Sequence, residues 1–383
     1  MVKNFEANDH GGMILSSRSS IISSVIIVIM VFSAVGGYVF LTNQYVPSNI
    51  AVVVIDPGFG DRSMADQAYE GLFTGEVVVS YDFTVADDVD DLEIIIDGIA
   101  GDQNHDVILV IGTEVGLAAA VDTVAQTYPN QRFGFIGGFV DQPNVASATF
   151  AHDEAAFLAG ALAANLAVDN VNRTGVVGII ASVAADPVVA ELIDGFLQGL
   201  DHANQTLGNV VLLPVVFVGS YNDSSTAEVY AKNMWNPALG NASVIFAPVR
   251  ASILGIREAM EYANLTWFGN TTNHEPFVIA AEGDQNYIGN PDVDIRTGPS
   301  WVATSVVPRS DLAVFRIINA TLWDDFMGGY DYGGIDGMGT LENGGIGLAD
   351  MTEFQNVNWV TNAMINMTTD YRLAIINGTI TLS

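Results

Sequence analysis

The chain has 383 residues, of which 50% are hydrophobic and 15% are charged. It is therefore long enough for two domains with sizeable cores and too apolar to be mainly disordered. Its 44 acidic and 12 basic residues give a formal net charge of −32, which excludes nucleic acid and anionic lipid as expected partners. The absence of cysteine excludes disulfides, thiolate metal sites, thiol catalysis and a lipid-modified cysteine anchor.

Residues 21–42 form an apolar run without a charge, which is long enough to span a bilayer as a helix. Lys3 and Arg18 precede this run and no basic residue follows it closely, so residues 1–20 are expected in the cytoplasm and the remainder outside. A cleaved signal peptide is the alternative, with the small residues at 33–37 as its cleavage site. The apolar run continues beyond them, which favours an uncleaved, single-pass anchor in the cell membrane.

A short polar stem at 43–49 leads into a strand–loop–helix unit. The apolar, β-branched run 51–55 predicts a strand, the Gly/Pro-rich segment 56–60 a loop, and the polar residue Ser63 the approximate start of a helix. This geometry places a ligand at the carboxyl end of a parallel strand, where the unpaired N–H groups of the helix point. The glycine spacing differs from that of a P-loop or a dinucleotide fingerprint. A binding crevice and an ordinary βα connection therefore both remain open at this point.

Short apolar runs alternate with amphipathic stretches along the rest of the chain, which predicts an α/β protein with parallel sheets in two lobes. The predicted strands are 51–55, 76–80, 107–111, 132–136, 174–180, 210–217, 244–247 and 277–281. The predicted helices include 117–127, 154–166, 187–203, 225–233 and 253–263. The Gly-rich segment 328–347 predicts loops or a small hairpin, and a final helix is expected near 353–367.

Asn-x-Ser/Thr sequences are more frequent than this composition gives by chance, and in exported chains they mark surface positions that accept glycans. An Asn- and Thr-rich surface that produces them by accident is the alternative. The candidate acceptors are Asn172, Asn204, Asn222, Asn241, Asn264, Asn270, Asn319, Asn366 and Asn377. Together with export and the lack of cysteine, these sites favour an archaeal surface glycoprotein.

A series of motifs, in order along the chain, resembles the basic membrane protein family of ABC-transporter substrate-binding proteins, whose best-known members bind purine nucleosides. The clearest are Asn-Val-x-Ser at 144–147 and Glu-x-x-Phe-Leu-Ala-Gly at 154–160. Further matching segments are 61–71, 107–112, 128–133, 174–178, 195–199, 219–223, 282–285 and 305–309. The resemblance covers about residues 50–347.

This resemblance implies a type I periplasmic-binding-protein fold, in which two Rossmann-like lobes are joined by three crossovers and close on a ligand. The expected first lobe comprises residues 50–148 and about 277–325. The expected second lobe comprises residues 149–276 and about 326–383. A small-molecule ligand and an ABC permease are the partners that the family implies.

The resemblance also assigns ligand-binding roles. Tyr221 is expected to stack on a planar base, or else to be a half-buried tyrosine at a strand end. Glu282 is expected to accept hydrogen bonds from ribose hydroxyls, or else to be a solvated acid. Asp61 and Ser63 stand at the first helix, where capping alone would explain one of them. Asp284 is as well suited to organising its loop as to touching a ligand.

Several positions depart from the family pattern and predict an altered ligand. Met64 stands where the family has a stacking Phe, Ala65 where it has a base-reading Asn, and Pro308 where it has a ribose-binding Lys. The family's Gly-Gly-x-Gly loop reads Val-Arg-Ala-Ser at 249–252. Its Arg250 would either bring a cation into the cleft or lie on the surface, and the surface position is the one expected.

No enzyme activity, cofactor or metal is expected. The five histidines lack metal-ligand spacing and no Gly-x-Ser-x-Gly elbow occurs. The leading hypothesis is an extracellular substrate-binding protein of an ABC importer that takes a nucleoside or similar small polar aromatic ligand by lobe closure. The alternative is a surface-structural or sensory glycoprotein that keeps the receptor fold with an altered or lost ligand site.

Overall fold

The computed structural model describes residues 48–60, 63–74, 79–169, 173–269, 275–290, 299–352 and 359–383. The predicted membrane segment 21–42, the predicted cytoplasmic segment 1–20 and Asp61 lie outside these residues. None of the helices within them combines the length and apolar character needed to cross a membrane.

The first lobe is built on a six-stranded sheet of order β12-β5-β4-β3-β1-β2, in which every pairing is parallel. Its central strands are buried on both faces, as their continuous apolar runs predict. The strands are β1 (Ser48–Ile55), β2 (Val79–Ala86), β3 (Val107–Ile111), β4 (Phe133–Ile136), β5 (Val145–Ala148) and β12 (Tyr330–Asp331). The helices are α1 (Met64–Leu72), α2 (Val89–Asp102), α3 (Leu117–Thr127) and α8 (Ser310–Leu322).

The second lobe is built on a sheet of order β13-β11-β10-β9-β6-β7, with β8 paired to β6 and β13 antiparallel to β11. Its strands are β6 (Val176–Ala181), β7 (Val211–Leu212), β8 (Val216–Phe217), β9 (Val244–Ala247), β10 (Phe277–Ala281), β11 (Val302–Pro308) and β13 (Ile346–Leu348). Its helices are α4 (His152–Val168), α5 (Pro187–Leu207), α6 (Ser224–Trp235), α7 (Ile253–Ala263) and α9 (Asn362–Ile376).

Helix α4 covers one face of the second sheet. It packs against α5 over its length and against strands β9, β11 and β13. Glycines allow this close approach, because a Cβ on Gly160 would lie 2.0 Å from the carbonyl oxygen of Phe196. A Cβ on Gly199 would lie 1.9 Å from that of Phe157. The small and apolar residues of α4 are therefore buried almost all round.

The chain passes three times between the two sheets, after β5, after β11 and after β12. These strands lie toward the same edge of each sheet, so the hinge is at that edge and the opposite edges carry β2 and β7. The predicted periplasmic-binding-protein architecture is confirmed.

The predicted lobe boundaries are wrong in two places. Residues 277–308 were expected in the first lobe, but β10 and β11 pair with β9 in the second sheet. Residues 326–383 were expected in the second lobe, but β12 pairs with β5 in the first. The alternation of strands and helices predicts the elements but does not specify which sheet a strand joins, and this explains both errors.

Other differences concern individual elements. Of the strand expected at 76–80, residues 76–78 lie outside the described residues, and residues 79–80 begin β2, which continues to Ala86. The strand expected at 210–217 is the two short strands β7 and β8. Strands β5 and β11 and helices α2 and α8 were not predicted. The Gly-rich segment 328–347 forms no hairpin, because β12 and β13 belong to different sheets. The last described helix, 362–376, overlaps the end of the helix expected near 353–367, of which residues 353–358 lie outside the described residues.

Candidate ligand-binding cleft

Polar side chains from both lobes meet where the carboxyl ends of the parallel strands face each other. Thr113 and Glu114 follow β3 in the first lobe, whereas Asp186, Arg250 and Glu282 follow β6, β9 and β10 in the second. Ligands of open α/β sheets bind at this position. The cluster is therefore the candidate site.

Arg250 is the centre of this cluster. Its Nε donates to Glu282 Oε1 at 2.9 Å and its Nη1 donates to Glu114 Oε1 at 2.6 Å. Its Nη2 donates to Thr113 Oγ1 and also contacts Asp186 Oδ2 at 3.4 Å. The side chain is only 5% exposed. The expectation that Arg250 lies on the surface is wrong, because buried carboxylates on three sides hold the guanidinium inside.

The guanidinium also stacks on an aromatic ring. The Cζ atom of Arg250 lies 4.0 Å from the ring centroid of Tyr221, which is a cation–π contact. Met64 and Arg250 line the same small cavity. The arginine thus lies against Tyr221 and borders the same cavity as Met64, and these are the two positions that the resemblance assigns to stacking.

The backbone at two of these residues is in the left-handed region. Arg250 has φ +48° and Glu282 has φ +68°. A residue other than Gly, Asn or Asp is destabilised by about 1–3 kcal/mol in this backbone conformation. It is therefore found there only where the surrounding structure imposes the conformation. The Arg250–Glu282 hydrogen bond joins the two strained residues, so each supports the conformation of the other. Position 250 is also one at which the family pattern has glycine.

Asp186 links three parts of the cleft. Its Oδ1 caps α5 by accepting from the Val188 N–H at 2.8 Å. Its Oδ2 accepts from Tyr221 Oη at 2.7 Å and from Thr113 Oγ1 at 2.9 Å. The carboxylate is fully buried, and the positive end of the α5 dipole stabilises its charge. Because Thr113 belongs to the first lobe, this hydrogen bond also crosses the cleft.

Burial and charge shift the pKa values of groups in the cluster. Burial opposes the charge of Arg250, but Glu282, Glu114 and Asp186 outweigh that effect and raise its pKa well above the usual value. Burial raises the pKa of the Tyr221 phenol, although the Arg250 charge acts in the opposite direction. Burial lowers the pKa of His152 to about 4; Asp186 raises it and Arg250 lowers it further. His152 is therefore neutral near pH 7.

The cavity left around the cluster is small. Ile55, Met64, Gly112, Glu114 and Arg250 are among the residues that line about 10 Å³, which is about the space of one water molecule. Side chains of the protein itself thus fill the space immediately around Arg250.

A much larger groove, of about 950 Å³, shares no lining residue with this cavity. It is bordered by Ser63 and Asp284, two of the predicted site residues. Ser63 occupies the N-cap position of α1 and is buried. Asp284 is exposed, and its Oδ1 accepts from the Asn286 N–H at 3.0 Å, so it organises its own loop.

The structure thus brings together three predicted site residues, Met64, Tyr221 and Glu282, and leaves two others outside the cluster. Glu282 is 1% exposed, so its alternative reading as a solvated acid is wrong. Tyr221 is half-buried, as one reading expected, but lies four residues beyond β8; its hydroxyl and ring face are both engaged.

Sequence reasoning missed four residues of the site. Thr113 and Glu114 directly follow a buried strand, and Asp186 precedes a proline at the first turn of a helix, which is an N-cap signal. These signals were present and could have been used. His152 gave no comparable signal, since a histidine at the start of an apolar helix is as well explained by packing.

In the part of the chain that the structure describes, no group of three or more histidine and carboxylate side chains is arranged to hold a metal ion. Among the glycosylation candidates, Asn222, Asn366 and Asn377 are exposed. Asn264 is 5% exposed within a π-helical turn, so it is withdrawn as a candidate. Asn172 and Asn270 lie outside the described residues.

Two parallel sheets joined by three crossovers, with a polar cluster between them, define a periplasmic-binding-protein-like fold. Residues 48–382 match the family described as "Bmp: ABC transporter substrate-binding protein PnrA-like", and the chain belongs to that family. The family is one of solute-binding proteins.

Individual proteins resemble this chain in sequence or in fold. The chain is 24% identical to the "ABC transporter nucleoside-binding protein BmpA" of Lactococcus lactis over 78% of this chain and 80% of the relative. It is 22% identical to an uncharacterized lipoprotein of Pyrococcus abyssi over 86% of this chain and 76% of the relative. An ABC-transporter solute-binding protein structure from Aeropyrum pernix K1 superposes with a TM-score of 0.73 at 21% identity, covering 88% of this chain and 93% of that one.

Proposed function

We propose that this protein is the extracellular binding component of an ABC importer, anchored through residues 21–42, which captures a nucleoside or a similar small polar aromatic ligand between its lobes. The observation that carries the proposal is the buried polar cluster at the meeting point of the strand ends. Lobe closure would bury the ligand, and the permease would receive it without any chemical step.

The side chains of the cluster suit such a ligand. The Tyr221 ring offers a stacking face, and the carboxylates of Glu114, Asp186 and Glu282 accept hydrogen bonds from hydroxyl or amino groups. The neighbouring Met64 adds a polarizable, apolar contact to a flat ring. The named relative from Lactococcus lactis supports the nucleoside part of the proposal by similarity only.

A thermal-shift screen of the purified protein tests this proposal with nucleosides, nucleobases, sugars and amino acids. A ligand present at 100 times its dissociation constant stabilises the folded protein by about 2.7 kcal/mol. We expect a shift with at least one nucleoside and a smaller one for Tyr221→Ala. A protein with normal circular dichroism that shifts with none of the nucleosides would refute the nucleoside proposal, whereas a sugar or amino-acid response would redirect it.

The small cavity favours a second candidate, a surface-structural or sensory glycoprotein in which protein side chains have replaced the ligand. Exposed Asn222, Asn366 and Asn377 would carry glycans in either case. Sedimentation velocity distinguishes the candidates, since a structural role predicts self-association and a binding component predicts a monomer that responds to ligand. Intact-mass measurement of the native protein tests the glycans.

A further inference from the structure

We propose that Arg250 is an intramolecular latch: its guanidinium occupies the ligand cleft, holds the two lobes together, and must give up its place on Glu114 when a ligand enters. The part concerning the ligand rests on the proposed function. The part concerning the latch does not.

The first step of the argument is where the partners of Arg250 belong. Arg250 itself, Glu282 and Asp186 are in the second lobe, whereas Glu114 and Thr113 are in the first. The Nη1 and Nη2 groups therefore bond across the cleft, and the Nε group bonds within the lobe. The guanidinium is in this way anchored on one lobe and attached to the other.

The second step concerns space. The guanidinium lies on the Tyr221 ring and borders the same cavity as Met64, with about 10 Å³ remaining. A planar ligand stacked on Tyr221 and the guanidinium in its present position would overlap. Binding therefore requires the lobes to part and Arg250 to leave Glu114.

The third step concerns which ligand could replace it. Glu114 uses Oε1 for Arg250, while its buried Oε2 has no hydrogen-bond partner. A flat group with two adjacent N–H donors would engage both oxygens at once. The N1–H and N2–H₂ edge of guanine has this pattern and contains the same guanidine unit as the arginine. We infer that the cleft favours a planar ligand with such an edge over one without it.

Labelled lobes allow the latch to be tested without knowing the ligand. Because the chain has no cysteine, Ile94→Cys on α2 and Val229→Cys on α6 give one spin label per lobe, both at exposed positions. Both helices lie toward the sheet edges away from the hinge, so opening lengthens the distance between the labels. Double electron–electron resonance then reports the closed and open populations.

Arg250→Gly removes the latch and restores a residue that adopts φ +48° without strain. We expect the ratio of closed to open protein to fall by at least about tenfold to a hundredfold, because the variant loses the charge-assisted hydrogen bond to Glu114 together with the hydrogen bond to Thr113. Millimolar guanidinium should restore the short distance in this variant, whereas urea, a neutral planar isostere, should not. Arg132→Ala is the control, since Arg132 pairs with Asp324 inside the first lobe.

An unchanged distance distribution in Arg250→Gly would overturn the latch, and so would an opened variant that guanidinium closes no better than urea. If Arg250→Gly does not fold, Glu114→Gln decides, because it keeps Arg250 and its bond to Thr113 and weakens only the cross-lobe bond between Arg250 and residue 114. A longer distance in Glu114→Gln supports the latch and an unchanged one overturns it.

The inferred ligand preference is tested with guanosine and inosine, which differ in the N2 amino group. We expect guanosine to bind the Arg250→Gly variant more tightly than it binds the wild-type protein. We also expect this affinity to exceed that of inosine for either protein. Equal affinities of the two nucleosides would overturn the inferred ligand preference. A variant that opens and recloses with guanidinium but binds no nucleoside would leave the latch standing and refute the proposed function.

Discussion

His152 should make the stability of this protein fall in mild acid. The side chain is 3% exposed at the start of α4, and burial is the main reason that its pKa is lowered from 6.5 to about 4. The unfolded chain takes up a proton near pH 6.5, but the folded protein does so only near pH 4. The contribution that neutral His152 makes to the free energy of unfolding is therefore complete above about pH 6.5 and is lost as the pH falls toward 4.

The size of the effect follows from these two pKa values. Between pH 7 and pH 5, the free energy of unfolding should drop by roughly 2 kcal/mol on account of His152 alone. Urea unfolding of wild type and His152→Leu at both pH values measures this, and the pH-dependent drop should be smaller by that amount in the variant.

Leu162→Ala is the control, because Leu162 is buried in the same helix about three turns beyond His152 and carries no titratable group. It should lose stability equally at both pH values. Parallel pH profiles for wild type and His152→Leu would show that the imidazole is not held neutral in the folded protein, and would refute the reasoning.

Three further predictions concern packing. Gly283→Ala would place a Cβ 2.8 Å from the Ser63 backbone across the cleft, so we expect a loss of about 1–3 kcal/mol in unfolding free energy and weaker lobe closure by double electron–electron resonance. Gly98→Ala meets no atom within 4 Å inside α2 and should raise the urea midpoint, with a gain of about 0.5–1 kcal/mol; a loss would contradict the described helix. Phe246→Ala removes a ring stacked at 4.3 Å on Phe196 and should cost about 3–5 kcal/mol in urea unfolding, and a cost below 1 kcal/mol would argue against this core contact.

The sequence predicted the elements of the fold much better than their arrangement. The run 51–55 and the helix start at Ser63 were recognisable because strand propensity and capping are local properties. The sheet to which 277–281 belongs depends on which strands lie beside it, and no local pattern carries that information. The motifs at 144–147 and 154–160 indicated the family because their order is as informative as their composition.

In the candidate site, too, local features could be predicted and contacts between distant residues could not. Glu282 directly follows β10, which agrees with the strand-end position expected for it, whereas Tyr221 lies four residues beyond β8. Arg250 was expected on the surface because an isolated arginine after a strand is usually solvated. Its burial depends on Glu114, Asp186 and Glu282, which are distant in the sequence and converge only in the folded chain.

Isothermal titration of the folded protein with nucleosides is the most direct test of the central claim that this cleft captures a small aromatic ligand. We predict one ligand bound per chain, with an affinity that falls at least about fivefold in Tyr221→Ala, because base–aromatic stacking contributes about 1–3 kcal/mol. Absence of binding by every nucleoside, or equal affinity of wild type and Tyr221→Ala, would contradict the claim.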